Sequence, residues 1–403
     1  LLGNGPWSYE GFRLLNGLLL GLVAADLVLR LIGRRLSVGT FVLMVGVTAA
    51  WIPMIAMADA WVTGPSQDCA TLAVSAIVVS YLADFVSRTR MRDAGVSLAG
   101  AVLLVMLRPT MIVFALGVLV VVVMVLLHRR AYATGFARAF VPVALLAAIA
   151  TLAQGARDFR MSGWWGYPLS VHPFDVAWRS ADPVTLREAT LGFMRDSTHI
   201  WEAVQGWGWV RPWISRLPLQ WEPYEFLALV LALVLVWAFA WRQLGRYWRQ
   251  IALAMVPSAV SLIAWFLVTP PAFRFIWGPF LALAVVPLGW ALWSLRERTT
   301  WRTVTVAGLV LPVMTVTCFA AAVRMPWSTM TQPQEWKVAA LTITYRVTPV
   351  RSPDVASTTT DQGLVLDVPV ETDQCWSRYP LCTPTPDQNL HLAGSSLADG
   401  LLP

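Results

Sequence analysis

The stretch "GPSQDCATLAVSAIVVSYLADFVSRTRMR", Gly64–Arg92, holds three kinds of sequence in one line. It opens with a turn of Gly, Pro, Ser and Gln that carries no basic residue. An apolar run, Ala70–Phe85, follows. Arg88, Arg90 and Arg92 close it. An apolar segment with arginines at one end only is what a membrane helix with a defined direction requires.

Outward from this stretch the pattern repeats. About ten apolar segments are predicted: Phe12–Ile32, Thr40–Trp61, Ala70–Phe85, Ala94–Leu107, Thr110–Leu127, Phe140–Gln154, Tyr224–Trp241, Ile251–Thr269, Ile276–Leu295 and Val304–Val323. Every second connection is arginine-rich. Arg34 and Arg35 follow the first segment, Arg88–Arg92 the third, Arg129 and Arg130 the fifth, Arg242–Arg249 the seventh, and Arg296–Arg302 the ninth. On the positive-inside rule those connections are cytoplasmic, and the remainder face outward. The chain is therefore expected to be an α-helical polytopic membrane protein, with its C-terminus extracytoplasmic.

Composition agrees. Of 403 residues, 57% are hydrophobic and 13% charged, about half the charge of a soluble domain. Lys337 is the single lysine. The net charge of +7 is scattered through short connections, which argues for membrane topology and against a nucleic-acid partner. The 22 Trp residues gather at the ends of apolar runs, as at a membrane–water interface.

Residues 1–323 read as a multi-span domain and 324–403 as a small α/β or β-rich extracytoplasmic domain. Within the first, residues 155–223 form a large outer loop. "ADPVTLREATLGFM" is predicted as a helix capped by Asp182, and "STHIWEAVQGWGW" as a second one opened by Ser197. Both are expected on the outer leaflet with their tryptophan rings in lipid. In the tail, "ALTITYRV" and "LVLDVPV" alternate as strands, with "RSPDVASTTTDQG" a loop between them. Cys375 and Cys382 lie in that tail. An exported position favours a disulfide over two free thiols, and no neighbouring Cys or His suggests a metal site. Cys69 and Cys318 lie in apolar segments as packing residues.

Polar groups at the outer ends are the functional candidates. Asp68 is either a carboxylate at a helix N-terminus or a ligand for a sugar hydroxyl or a metal. Arg108, between two apolar runs, needs an anionic partner unless it snorkels to the surface. Arg274, in "TPPAFRFIWG", is placed for a phosphate or carboxylate, or for an interfacial ion pair. Tyr167, His172 and Asp175 stand in the outer loop, His172 as a proton carrier or an ordinary loop histidine. Asp26 with Arg30, and Asp84 with Arg88, have the spacing of helical ion pairs. No nucleotide-binding loop, dinucleotide fingerprint or His/Glu zinc spacing is present.

Four stretches carry a resemblance: "GPSQDCA", "GYPLSVHPFDVAWR", "PAFRFIWG", and "CWSRYPLCTP" with "NLHLAG". In this order they resemble a family of bacterial polytopic membrane proteins that is similar to the GT-C glycosyltransferases. The resemblance implies sugar transfer, with inversion, from a polyprenyl-phosphate donor to an extracytoplasmic glycan, lipid or protein acceptor. It implies that Arg274 and Arg108 bind the donor phosphate, and that a divalent cation is a possible cofactor. Ser170 stands where that family has an aromatic residue. The catalytic carboxylate belongs in a first outer loop and is expected upstream of Leu1. The competing classes are a transporter or flippase of anionic lipid-linked glycans and a non-enzymatic envelope assembly protein.

The sidedness has a direct test. A reporter active only in the cytosol, fused after Pro403, is expected to stay dark, and one fused after Arg249 to be active.

Overall fold

The structure is a computed structural model, and it describes residues 10–33, 36–56, 67–128, 133–167, 171–179, 183–220, 222–269, 271–296, 332–338, 341–347, 353–370, 375, 381–396 and 400–402. The expected tenth segment Val304–Val323, the turn Gly64–Ser66, Asp182, Ser170, and Arg34, Arg35, Arg129, Arg130, Arg298 and Arg302 lie outside the described residues.

Helices dominate. In chain order they are α1 (Glu10–Ile32), α2 (Val38–Ala56), α3 (Asp68–Arg88), α4 (Met91–Leu107), α5 (Ile112–His128), α6 (Ala133–Ser162), α7 (Pro183–Arg195), α8 (Ile200–Gln205), α9 (Val210–Arg216), α10 (Glu222–Val268) and α11 (Trp277–Leu295). Among the described residues five helices are long and apolar enough to cross a membrane: Asp68–Arg88, Pro109–His128, Phe140–Ser162, Leu244–Val268 and Trp277–Leu295. The protein thus has the helical make-up of an integral membrane protein.

Helix α11 is the axis of the bundle. It has no charged residue and is buried along almost its whole length, packed by α2, α3 and α10. Small residues let its neighbours approach. A Cβ on Gly278 would lie 2.4 Å from the Ser75 hydroxyl of α3, and one on Gly289 2.7 Å from the Val42 backbone of α2. In lipid, where burial gains nothing over the acyl chains, such close van der Waals packing holds helices together.

The 47-residue helical run of α10 is not a rod. In a straight helix Phe226 and Trp265 would stand about 58 Å apart. Yet the Phe226 ring stacks 4.4 Å from Phe280, Phe280 lies 5.0 Å from Phe273, and Phe273 lies 5.1 Å from Trp265. Tyr247, between them in sequence, meets Trp293 near the opposite end of α11 at 5.4 Å. The run therefore descends beside α11, doubles back near its arginine-bearing middle and returns along α5, where Gly117 lies against the Pro257 backbone. The expected loop carrying Arg242, Arg246 and Arg249 is helical instead. These arginines are exposed, and Arg242 and Arg249 lie over Trp241 and Trp248.

At that far end Asp84 ties three helices together. Its carboxylate accepts from the Gly39 N–H and the Ser37 hydroxyl, both at 2.8 Å, capping the start of α2. It also faces Arg30 of α1 at 3.5 Å. The expected partner Arg88 is exposed. The N-terminal amide of a neighbouring helix outcompetes it, because an orphan N–H inside the bundle has no water to turn to. Arg30 does pair with Asp26, at 2.9 Å, and donates to Ser80 at 3.2 Å.

In the tail, antiparallel hairpins replace a single sheet. Strand β3 (Gln332–Val338) pairs with β4 (Leu341–Val347), β5 (Val355–Thr359) with β6 (Val365–Pro369), and β7 (His391–Leu392) with β8 (Leu401–Leu402). The stretch expected as a loop contains β5, because its Ser and Thr side chains satisfy a strand without apolar alternation. Gly363, at φ +82, closes the turn to β6. Cys375 and Cys382 are disulfide-bonded, their Cα atoms 5.7 Å apart. The main chain flanking Cys382 bonds with Asp367 of β6 at 2.8 and 2.9 Å, so the bridge fastens its loop to a strand.

Two outcomes are expected. Asp84→Ala should destabilise the bundle by about 2 kcal/mol or more, read by thermal unfolding in detergent, since it removes a cap and exposes Arg30 to a poorer balance of charge. Cys375→Ser should cost the tail about 2–3 kcal/mol in denaturant titration, with the helices unaffected.

Candidate functional site

The end of the bundle opposite Asp84 collects the starts of α3 and α11 and the end of α4. Asp68 is the first residue of α3 and is buried. Its carboxylate faces the positive end of the helix, a favourable place for a negative charge. Arg108 follows α4 in an extended conformation, because Pro109 bars the preceding residue from continuing the helix. A short 3-10 turn, Pro109–Met111, then leads into α5. The third component, the 3-10 turn Phe273–Phe275, links α10 to α11.

Arg108 joins all three. One terminal nitrogen donates to the Asp68 carboxylate at 2.5 Å, the other to the main-chain oxygen of Arg274 at 2.6 Å. Its guanidinium lies 4.9 Å from the Phe275 ring. Only 9% of the residue is exposed. So Asp68 is the anionic partner that Arg108 was expected to need. Each terminal nitrogen of Arg108 thus holds a partner within the protein, and one of those bonds positions the Arg274 turn.

Arg274 is different. Its side chain is exposed, and among the described residues it forms no ion pair. Its guanidinium rests 5.1 Å from the face of Phe275, so that ring lies near two cations. Of the two roles foreseen for it, an interfacial ion pair and an anion contact, the described residues provide no partner for the first.

Tryptophans brace this turn from behind. The Trp213 indole donates to the Pro271 oxygen at 2.8 Å, and that of Trp265 to the Ala272 oxygen at 3.1 Å. Trp213 stacks on Phe273 at 6.0 Å, and Trp209 packs on Phe266 at 5.3 Å. The expectation that the outer-loop rings lie in lipid is corrected for these two, which are buried. Trp201 and Trp207 are exposed. The correction has a physical cause: the Trp213 indole supplies a donor to a carbonyl of the proline-stiffened turn, and Trp209 packs between Phe266 and the Arg195 guanidinium.

The same region corrects one helix start. The chain enters α8 at Ile200, and Ser197 makes no cap. Asp196 instead accepts from the Thr198 N–H at 3.0 Å and its hydroxyl at 2.7 Å, tying the linker into an Asx turn. These bonds hold the Asp196 carboxyl below the usual carboxylate range.

Tyr167, His172 and Asp175 sit on a separate hairpin at the end of α6, where β1 (Trp164–Trp165) pairs with β2 (His172–Pro173). His172 is exposed, edge-on to Phe174 at 5.0 Å, and Asp175 is exposed. Tyr167 is half-buried in the turn after β1. Among the described residues no three His, Cys, Asp or Glu side chains gather as a metal site.

Four buried acids among the described residues went unnoticed in the sequence: Asp93, Asp158, Glu222 and Glu225. Glu225, on the first turn of α10, is 2% exposed and accepts from the Trp277 indole at 3.0 Å. The signal was available: a glutamate inside the apolar run that starts at Tyr224.

No curated protein and no solved structure matches the chain. The family model described as a domain of unknown function, DUF8201, matches residues 4–281, which span every helix from α1 to the start of α11 and include Asp68, Arg108 and Arg274. The chain belongs to the DUF8201 family.

Proposed function

We propose that this protein is a membrane glycosyltransferase that uses a polyprenyl-phosphate sugar and acts on an extracytoplasmic envelope glycan, lipid or protein. One observation carries the reading. Arg274 offers an exposed guanidinium on a turn whose main chain is held by Arg108 at Arg274 and by two indoles at Pro271 and Ala272. A cation held this rigidly is suited to a charge that develops during a reaction. The likeness to GT-C enzymes supplies the reaction class.

In this reading an acceptor hydroxyl oxygen attacks the anomeric carbon while the carbon–oxygen bond to phosphate breaks. The phosphate leaves with the electron pair, and Arg274 stabilises its added charge. The acceptor's proton passes to a base that we assign to no residue. The reading also places about ten crossings in a bacterial cytoplasmic membrane. The arginine-rich connections are then cytoplasmic, with the Arg274 turn and the tail outside.

Transfer of radiolabelled sugar from a polyprenyl-phosphate donor in proteoliposomes tests the activity. Failure of transfer together with protein-dependent flipping of the same lipid across vesicles would establish the transporter class instead. Arg274→Ala is expected to lower transfer by about 100-fold or more with normal membrane insertion, the loss typical of removing one stabilising donor. Full retained activity removes Arg274 from the mechanism.

Arg108 and Asp68 should behave as a pair. Each alanine substitution alone is expected to cost about 3–5 kcal/mol in thermal unfolding, because the partner is left charged and buried. The double variant should cost clearly less than the two together.

A further inference from the structure

Behind the Arg274 turn lies a second pair of arginines. Arg195 ends α7 and is 7% exposed. One terminal nitrogen donates to the Ala203 oxygen of α8 at 3.1 Å, the other to the Leu267 oxygen near the end of α10 at 3.2 Å. Its guanidinium lies 4.7 Å from the Trp209 ring. Arg216, at the end of α9, donates to the Met194 oxygen at 3.4 Å and to the Arg195 oxygen. Both are thus fastened to the last carbonyls of helices.

Two features are left over. The Nε–H of Arg195 and that of Arg216 are both buried and without an acceptor. Among the described residues no carboxylate forms an ion pair with either guanidinium. The nearest acid in sequence, Asp196, is engaged by Thr198 and faces His199 at 3.4 Å. Burial pulls the pKa of Arg195 below its ordinary value, and no acid pulls it back. Helix-end carbonyls bring only partial charge, about half an electron per helix. Two full positive charges with two idle donors therefore call for an anion with several acceptor oxygens.

The surroundings say which anion. Leu186 and Phe193 of α7, Trp201 of α8, Trp207 of the α8–α9 connection and Ile214 of α9 are all exposed, from 46% to 61%. Short helices with this much outward apolar surface lie in the membrane interface. That layer holds phosphate headgroups at very high local concentration.

We propose that Arg195 and Arg216 form a phosphate-binding site at the membrane surface, separate from Arg274, that takes a phosphate group from a lipid headgroup or from solution. The site does not depend on the glycosyltransferase reading.

The test uses the full chain in a phosphate-free detergent, with inorganic phosphate titrated at constant ionic strength and thermal unfolding as the readout. Phosphate is expected to raise Tm. Arg195→Gln and Arg216→Lys should each shift the phosphate midpoint by about tenfold or more, the loss of one charge-assisted bond, while Arg242→Gln, an exposed arginine at the opposite end of the bundle, leaves it in place. Should Arg195→Gln fail to fold, the half-buried Arg216→Lys decides the matter. Nanodiscs separate the two sources. If phosphatidylglycerol nanodiscs abolish the response to added phosphate and nanodiscs of uncharged glycolipid preserve it, the headgroup is the occupant. If both preserve it, the occupant is soluble phosphate. The proposal is overturned if wild-type protein shows no response in detergent, which leaves the arginines as helix caps. It is equally overturned if the response survives with an unchanged midpoint in both Arg195→Gln and Arg216→Lys.

Discussion

A single guanidinium, Arg108, decides the shape of the candidate site. It lies inside the protein, where a lone charge is too costly to keep. Asp68 neutralises it, and Asp68 is itself steadied by the start of α3. What remains of its donor capacity goes to the Arg274 oxygen, 166 residues away in sequence. The turn between α10 and α11 therefore takes its position from the junction of α4 and α5. The exposed cation at its tip gains a fixed address from a buried one.

The same device recurs along this end of the bundle. Helices end with unpaired carbonyls, and in a low-dielectric setting something must bond them. Here the donors are arginines and indoles that arrive from other helices: Arg195 on α8 and α10, Arg216 on α7, Trp213 and Trp265 on the segment before Phe273. Long side chains reach sideways and staple neighbouring helix ends. Arg195, Trp213 and Trp265 are themselves buried, so these staples lie inside the packing and not on the surface. The opposite end follows a different rule. There a carboxylate, Asp84, bonds the free amides at the start of α2.

Much of this was legible in the sequence. The apolar segments Ala70–Phe85, Ala94–Leu107, Thr110–Leu127, Phe140–Gln154 and Ile276–Leu295 coincide with helices, because periodic burial and interfacial arginines leave a strong local trace. Asp68, Arg108 and Arg274 stood out because each breaks an apolar context. That the three meet was not legible, since contacts between residues so far apart have no local signature. Nor was the partner of Asp84. Spacing along one helix pointed to Arg88, and the choice was made by Gly39 and Arg30 on other helices. Trp209 and Trp213 were assigned to lipid on composition; a carbonyl of the Phe273 turn draws Trp213 inward, and Phe266 with Arg195 draws in Trp209. Strand β5 was hidden by its Ser and Thr residues, which read as loop to any argument based on hydrophobic alternation.

The hairpin of α10 has a bearing on how the chain is made. Its two arms are joined without an extended connection, and they pack against α11, α5 and α3. During synthesis α5 is already in place when the arms emerge, so the returning arm packs at once, while the face that meets α11 waits for a helix made later. Arg242, Arg246 and Arg249, exposed at the tip, keep that end of the hairpin in water. A foreign peptide placed at that tip would interrupt helix rather than lengthen a loop, so this part of the chain is a poor site for inserted tags.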